Sequence, residues 1–295
     1  MSQYISQHHG TGETGLLKVK DVSLDYRTPQ RLVRATHQVN FEVDPGDRFI
    51  LLGPSGCGKS SLLKAVGGFL PVTEGNIELE GSVVKGPGPD RIMVFQEFDQ
   101  LPPWKTVKHN VMFPLLASKT MSQAAAETRA LEYLSKVGLS SFADAYPHQL
   151  SGGMKARVAI ARALAMQPKI LLMDEPFAAL DALTRRKMQE ELLSLWNEVN
   201  FTLLFVTHSI EEALIVGNRI LLLSPHPGRV RGEVHSHHYD QHSLGSENFQ
   251  GAAQRIHQLL FDDDRSPLSR RSAPAGNTAM IPTAKRAFSD VRISY

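Results

Sequence analysis

The sequence predicts an α/β fold with a largely parallel sheet, because short apolar runs alternate with segments of helical period. The runs at 170–173 and 201–206 are apolar at nearly every position, which is typical of strands buried on both faces of a parallel sheet. A helical period over 184–199 separates these two runs. A short helix at 210–216 and a strand at 220–223 extend the same alternation, so we expect one sheet with helices on its faces.

Composition places the chain among ordinary globular proteins. Its 295 residues are 42% hydrophobic and 21% charged, enough for one large α/β domain with an insertion or a tail. A net charge of +2 gives no electrostatic reason to expect nucleic acid or an anionic membrane as a partner. The first residues lack the pattern of a signal peptide and no apolar run is long enough to span a bilayer, so we expect a cytoplasmic chain. The single cysteine, Cys57, fits a reducing compartment.

The sequence of the first part of the chain indicates a disordered segment followed by strands. Residues 1–15 are polar and rich in glycine, so we expect them to be disordered. Apolar residues alternate over 16–26, and a second strand at 41–43 leads into a turn rich in Asp, Pro and Gly. The alternating segment 75–81 is predicted to be an edge strand of an antiparallel hairpin.

The pattern becomes helical after a strand predicted at 92–95. Residues 107–116, 124–137 and 151–166 have helical periods, interrupted by segments that contain proline. The sheet pattern resumes only afterwards. We therefore expect a helical subdomain, at about 97–165, to be inserted between two halves of the sheet domain.

One stretch matches the phosphate-loop pattern G-x-x-x-x-G-K-[ST], between an apolar strand at 49–52 and a helix-forming segment at 61–66. Its glycines allow backbone N–H groups to turn toward phosphates, and the helix N-terminus adds partial positive charge. Lys59 is expected to contact the β- and γ-phosphates of a nucleoside triphosphate, and Ser60 to ligate Mg²⁺. The predicted nucleotide-binding residues of this stretch are Gly53, Pro54, Ser55, Gly56, Cys57, Gly58, Lys59, Ser60 and Ser61.

Six motifs occur in order along the chain: the phosphate loop, Gln96, Leu150-Ser151-Gly152-Gly153-Met154, Asp174-Glu175-Pro176, Ala179-Leu180-Asp181 and His208. In this order they resemble the motifs of ATP-binding cassette (ABC) ATPases, in which the last four correspond to the signature loop, the Walker B segment, the D-loop and the switch histidine. Together they make the resemblance specific, and it covers roughly residues 16–234.

The resemblance implies a P-loop NTPase fold with a RecA-like ABC ATPase core, an antiparallel β subdomain and an inserted α-helical subdomain. It also implies ATP hydrolysis with Mg²⁺. Asp174 would hold the metal together with Ser60 and Gln96, because strand ends of a parallel sheet face the ligand. Glu175 would orient or deprotonate the attacking water, and His208 and Gln96 would contact the γ-phosphate, the metal or the water.

The signature loop predicts a second phosphate-binding helix start. Ser151 can cap the following helix, and Gly152 and Gly153 can present backbone N–H groups. One chain cannot direct both helix starts at the same ATP. In the family that it resembles, the signature closes over nucleotide held by a partner, so the resemblance implies a head-to-tail homodimer with two ATPs, Asp181 lying at the shared sites.

Tyr26 has two interpretations. It resembles the aromatic residue that stacks on adenine in these ATPases. It is also an ordinary aromatic residue of a predicted strand, which would pack in the core. Both interpretations are open at this point.

The chain most resembles a detached energy-coupling subunit, because it has one ATPase domain and no membrane helix. Stretches at 94–96, 101–107, 174–181 and 223–230 resemble the nitrate, sulfonate and taurine importer group. This resemblance implies transmembrane permease subunits, a periplasmic or lipid-anchored solute-binding protein, and a peripheral place on the cytoplasmic face of the inner membrane. The solute stays open among taurine, another sulfonate, nitrate and a pyrimidine precursor.

Two other functions compete with transport. A soluble ABC-type ATPase acting on nucleic acid or ribosomes is disfavoured by the near-neutral charge and the single domain. A protein that uses ATP only as a dimerisation switch is disfavoured by Glu175, which supplies a base for hydrolysis.

The loop from Gln96 to Trp104 is predicted to touch the coupling helix of the permease. The alternative is a plain surface loop with a buried Trp104. We favour the contact because the loop joins Gln96 to the helical insertion, so the nucleotide state could move the insertion.

The tail, 235–295, predicts one amphipathic helix at about 248–261. Residues beyond 262 are rich in Ser, Arg, Pro and Ala, so we expect them to be mobile. A group of histidines before the helix favours a solvated linker, with a metal site as the alternative. These histidines are His235, His237, His238 and His242.

Overall fold

The computed structural model describes residues 15–27, 32–95, 100–119, 121–236 and 239–261. These residues form two sheets and seven α-helices. The strands are β1 (Leu17–Arg27), β2 (Leu32–Val43), β3 (Arg48–Leu52), β4 (Glu74–Leu79), β5 (Ser82–Val83), β6 (Arg91–Val94), β7 (Ile170–Asp174), β8 (Thr202–Thr207), β9 (Arg219–Leu223) and β10 (Val230–His235). The helices are α1 (Lys59–Val66), α2 (Val107–Ala117), α3 (Gln123–Lys136), α4 (Gly152–Ala165), α5 (Ala182–Val199), α6 (Ile210–Val216) and α7 (Glu247–Phe261).

The larger sheet is parallel except at one edge. Its order is β10-β9-β3-β8-β7-β6, and only β10 runs antiparallel to its neighbour. Every residue of β7 and β8 is buried, as their continuous apolar sequences predict. The predicted parallel α/β sheet is therefore confirmed. Because β3, β7 and β8 are parallel neighbours, the segments that follow them leave the sheet at the same edge.

The smaller sheet is antiparallel, with the order β2-β1-β4-β5. It packs on α1 and on one face of β3, where the rings of Phe41 and Phe49 stack with centroids 5.2 Å apart. The prediction that 75–81 forms an edge strand is wrong, because β4 pairs with β1 on one side and with the two-residue β5 on the other. Strand β2 begins at Leu32, nine residues before the predicted strand at 41–43, because its first half does not alternate regularly between apolar and polar residues and is not recognisable as a strand.

Three helices lie between β6 and β7 in the chain. Helices α2, α3 and α4 pack on one another around side chains such as Val111, Ala130, Leu134 and Ala159, all of which are buried. Ser122 and Ser151 accept hydrogen bonds from backbone N–H groups in the first turns of α3 and α4, which fixes where these helices begin. The helices begin and end within one residue of the predicted bounds.

Helix α7 follows the sheet and packs against α6, β9 and β10. Its buried face consists of Phe249, Ala252, Ile256 and Leu260, spaced as an amphipathic helix requires. The helix begins one residue before the predicted range of about 248–261. Within the described ranges no helix combines the length and the apolar character that crossing a bilayer requires.

Candidate nucleotide-binding site

The loop between β3 and α1 has the backbone of a phosphate cradle. Gly56 and Gly58 have φ angles of 78° and 97°, in the left-handed region that favours glycine. A Cβ atom on Gly58 would lie 2.7 Å from the carbonyl oxygen of Ala35 on β2. The loop therefore needs glycine both for its turn and for its close approach to the smaller sheet.

Lys59 is held across this loop. Its side chain is only 4% exposed, and its Nζ donates hydrogen bonds to the carbonyl oxygens of Gly53, at 2.8 Å, and Pro54, at 2.9 Å. These bonds keep a buried ammonium group at the concave side of the loop, where a phosphate would be surrounded by the positive end of α1.

Ser60 and Asp174 meet although 114 residues separate them in the chain. The Ser60 hydroxyl donates to Asp174 Oδ1 at 2.7 Å. Burial raises the pKa of the Asp174 carboxyl, and the bond from Ser60 acts in the opposite direction. A hydroxyl and a carboxylate oxygen at this spacing form the kind of hard oxygen-donor pair that Mg²⁺ prefers. The two residues therefore fit the metal that the sequence predicts.

Glu175 and His208 also come together. His208 Nδ1 lies 3.0 Å from Glu175 Oε2, and the two residues directly follow the neighbouring strands β7 and β8. Glu175 has a φ of 45°, a conformation that is uncommon for a residue with a side chain, and its N–H donates to the carbonyl of Val206 at 3.1 Å. The strained turn lies at the edge of the sheet that the phosphate loop shares, and the Glu175 carboxylate there contacts His208.

Tyr26 lies beside the phosphate-loop helix. Its hydroxyl donates to the Ser61 hydroxyl oxygen at 2.5 Å, and its ring is partly buried against the core of the smaller sheet. The structure thus brings Tyr26 to the nucleotide-binding side of α1 while it also packs in a core. Its contact with adenine stays a prediction.

The signature and D-loop segments lie side by side. Ser151 Oγ accepts from Met154 N at 3.3 Å, and Asp181 Oδ1 accepts from the N–H groups of Leu183 and Thr184 at the start of α5. A Cβ atom on Gly153 would lie 3.1 Å from Thr184 Cγ2, so α4 and α5 make close contact where both begin. Gly153 is buried against α5, whereas Gly152 is half-buried and Ser151 is exposed.

A segment without a predicted site role supports the phosphate loop from behind. Gly228 donates from its N–H to the Ala35 carbonyl and accepts from the His37 N–H, both at 2.9 Å. A Cβ atom on Gly228 would lie 2.1 Å from the carbonyl oxygen of Cys57. The Pro227-Gly228 pair predicts a turn, but only the folded chain shows what that turn contacts.

Some of the residues for which the sequence predicts a site role lie outside the described ranges. Gln96, His237 and His238 belong to undescribed segments, and the described residues contain no group of three or more His, Cys, Asp or Glu placed to hold a metal ion. Trp104 is 76% exposed, so the alternative of a surface loop with a buried Trp104 is wrong.

A phosphate loop on a parallel sheet, completed at the strand ends by Asp174, Glu175 and His208, defines a P-loop nucleoside triphosphatase. A profile of the family described as "ABC transporter" matches residues 36–178. A taurine import ATP-binding protein of Rhizobium johnstonii is 50% identical over 216 residues, which cover 73% of this chain and 82% of that protein. A nitrate import ATP-binding protein of Synechococcus elongatus is 40% identical over 235 residues, 79% of this chain and 85% of that protein.

A solved dimeric structure of a bacterial ABC transporter cassette superposes with a TM-score of 0.66 at 36% identity, covering 76% of this chain and all of that chain. The chain therefore belongs to the ABC transporter family and is one of its ATP-binding ATPase subunits. The resemblance carried by the six motifs, and the ABC ATPase fold that it implies, are confirmed.

Proposed function

We propose that the chain is the ATP-hydrolysing subunit of an ABC importer for a small anionic or zwitterionic solute of the taurine, sulfonate or nitrate type. The observation that carries the catalytic part is the contact of Ser60 with Asp174 at 2.7 Å, next to the buried Lys59. This arrangement joins a phosphate cradle to a carboxylate at a strand end, as hydrolysis of a nucleoside triphosphate requires.

In the proposed site, Lys59 and the N–H groups of the phosphate loop bind the β- and γ-phosphates of ATP. Ser60 and Asp174 would hold Mg²⁺, with Gln96 as a further ligand, and the ion would supply neutralisation of the phosphate charge. Glu175 positions the attacking water and takes its proton at Oε2. His208, 3.0 Å from that atom, fixes the Glu175 carboxylate and faces the γ-phosphate.

The working unit is a homodimer with two shared sites. Ser151, Gly152 and Gly153 of each copy close over the ATP held by the other, and Asp181 lies at the same interface. Support comes from the adjacent starts of α4 and α5, which place these residues on one surface, and from the related cassette that was solved as a dimer. Tyr26 contacts the adenine of the ATP held in its own chain.

Transport is supported by the relatives, which are named as import ATP-binding proteins for taurine and nitrate. The dimer binds transmembrane permease subunits at the cytoplasmic face of the inner membrane, and a solute-binding protein, periplasmic or lipid-anchored, delivers the solute. Trp104 lies in the loop proposed to meet the coupling helix of the permease, and an exposed Trp is a frequent anchor of interfaces. An ATPase acting on nucleic acid or ribosomes is not favoured, because the relatives are transport subunits.

The proposed domain organisation follows from the same site. The ATPase domain comprises 16–234, with the helical subdomain at about 97–165, and the tail comprises 235–295 and includes the amphipathic helix at about 248–261. Helix α7 packs on β9 and β10, so the first part of the tail rests directly on the ATPase domain.

The test uses a tagged Glu175→Gln variant. We expect it to bind ATP normally but to lose turnover by about 100-fold or more, since the general base is gone. When membranes are solubilised with Mg-ATP, the variant should co-purify with a polytopic membrane protein. A Glu190→Gln variant, altered at an exposed position of α5, is the control and should hydrolyse ATP normally.

Two results would contradict the proposal at different points. Near-normal turnover of Glu175→Gln would refute the assigned base. Recovery only from the soluble fraction, with nucleic acid or ribosomes attached, would leave the ATP chemistry standing and refute transport.

A further inference from the structure

A chain of three buried polar side chains lies directly behind His208. Thr207, the last residue of β8, is 2% exposed, and its hydroxyl donates to Glu212 Oε2 at 2.5 Å. The other carboxylate oxygen, Oε1, accepts from Gln189 Nε2 at 3.0 Å. Glu212 and Gln189 are 7% and 4% exposed, so the group is shielded from water. It connects α5, α6 and the end of β8.

The directions of these hydrogen bonds are fixed by their surroundings. The Thr207 hydroxyl oxygen accepts from the Ser209 N–H at 3.0 Å, so its single proton is free to go to Glu212. Gln189 Oε1 accepts from the side-chain amide of Gln241 at 3.4 Å, which leaves Gln189 Nε2 as the donor to Glu212. Both neighbours of Glu212 therefore donate, and an ionised carboxylate satisfies both at once.

The same network encloses the backbone of His208. Thr207 on one side is bonded to Glu212, and Ser209 on the other side caps α6 by accepting from the Glu212 N–H at 3.3 Å. The residues that flank His208 are thus tied to one residue, Thr207 to the Glu212 carboxylate and Ser209 to the Glu212 backbone N–H. Burying a carboxylate among neutral donors costs free energy relative to a polar group on the surface, so its place here calls for a role other than stability.

We propose that Glu212 and Gln189 are positioning residues for ATP hydrolysis: they hold Thr207 and thereby keep the His208 side chain 3.0 Å from Glu175. The inference rests on the proposed function, because it takes His208 to act in hydrolysis. It extends that function by two buried residues, one on α5 and one on α6, that do not themselves bond to Glu175 or His208 in the described contacts. Gln241 joins the segment before α7 to this network, through bonds to Gln189 and to the carbonyl of Arg186.

The test exchanges the two side chains that form the Gln189–Glu212 hydrogen bond, first one at a time and then together. In Glu212→Gln, the new side-chain amide faces two hydrogen-bond donors, Gln189 and Thr207, and can accept from only one of them through its oxygen. In Gln189→Glu, the new carboxylate faces the Glu212 carboxylate and the two repel each other. Both variants should therefore displace Thr207. We expect each to lower kcat about tenfold with little change in the KM for ATP, the effect of one lost hydrogen bond to a charged group. In the double variant, the amide now at position 212 can donate to the carboxylate now at position 189 and accept from Thr207. Its kcat should therefore return to within about twofold of the wild-type value.

Three comparisons complete the experiment. Glu211→Gln alters the neighbouring exposed glutamate and should leave kcat unchanged. Thr207→Val removes the hydroxyl with little change of shape, and should reproduce the loss in kcat even if Glu212→Gln fails to fold. In a His208→Ala background, Glu212→Gln should cause no further loss, because the network acts through His208.

The outcomes separate the two hypotheses. Full turnover in both Glu212→Gln and Thr207→Val would overturn the positioning role. So would a correctly folded double variant that stays as slow as the single ones, or losses that add to that of His208→Ala. Full turnover in His208→Ala would instead refute the catalytic role of that histidine in the proposed function.

Discussion

The two helix starts that are proposed to bind phosphate are built differently. Helix α1 begins after Gly58 without a side-chain cap, so within the described residues its first N–H groups are left for a ligand. Helix α4 begins after Ser151, whose own hydroxyl oxygen accepts from the first turn. The first helix start is thus shaped as an anion site in the isolated chain, whereas at the second the N–H of Met154 is already bonded to Ser151.

The difference extends to their surroundings. Lys59 and Ser60 contact Gly53, Pro54 and Asp174, groups that surround one phosphate position. The polar contacts of Ser151 and Asp181 instead serve the helices that these residues start. Under the proposed function, this contrast predicts that one chain binds ATP through the phosphate loop alone, whereas the signature contributes only when a second copy brings ATP to it. Three substitutions test the contrast.

Lys59→Ala should have the largest effect. Removing the ammonium group takes a charge-assisted contact from the phosphates, so we expect the Kd for ATP of the isolated chain to rise about 30-fold or more. A titration with nucleotide measures this directly, and the exposed Lys187→Ala serves as the control. An unchanged Kd would show that the buried lysine supports the loop rather than the ligand.

Ser151→Ala should have an intermediate effect that appears only in the dimer. ATP binding by the isolated chain should be unchanged, whereas ATP-dependent dimerisation in the Glu175→Gln background should weaken about tenfold, since a contact with the partner's phosphate is lost. Sedimentation with and without ATP distinguishes the two. Ser122→Ala removes the equivalent cap from α3 and is the matched control. If both variants weaken the dimer equally, loss of a helix cap explains the effect and the phosphate contact is refuted.

Gly228→Ala should have the smallest effect, and the effect should be confined to ATP binding by the phosphate loop. The added methyl group would lie 2.1 Å from the Cys57 carbonyl, so the loop or the turn must shift. We expect the Kd for ATP to rise about fivefold, in line with modest overpacking. Once the chains are saturated with ATP, their dimerisation should be unchanged. Gly232→Ala is the control, because no atom lies within 4 Å of its added Cβ. Equal behaviour of the two variants would contradict the proposed support.

The sequence predicts well what short stretches determine. The apolar runs of β7 and β8, the serine cap of α4, and the phosphate loop all have local patterns, and the structure contains each of them at or near its predicted place. The meeting of Ser60 with Asp174 followed indirectly, since polar residues at the ends of parallel strands share one edge of the sheet.

What the sequence does not predict depends on contacts between distant segments. The first half of β2 lacks a regular alternation of apolar and polar residues, and its Arg34 is held by Asp25 and Glu74 across the smaller sheet, partners that the local sequence does not indicate. The approach of Gly228 to Cys57 joins segments 171 positions apart, and nothing near either residue indicates it. Glu212 looks like an ordinary helix glutamate until β8 and α5 are placed around it.

Cys57 gives the phosphate loop a built-in reporter. The thiol is fully buried beneath the loop, and burial raises its pKa, so two conditions for attack by a thiol reagent are missing while the loop is closed. It is also the only cysteine of the chain. We therefore expect the rate of its alkylation to report the exposure of this one loop, and a slower rate in the presence of ATP to report occupancy of the site without any added label.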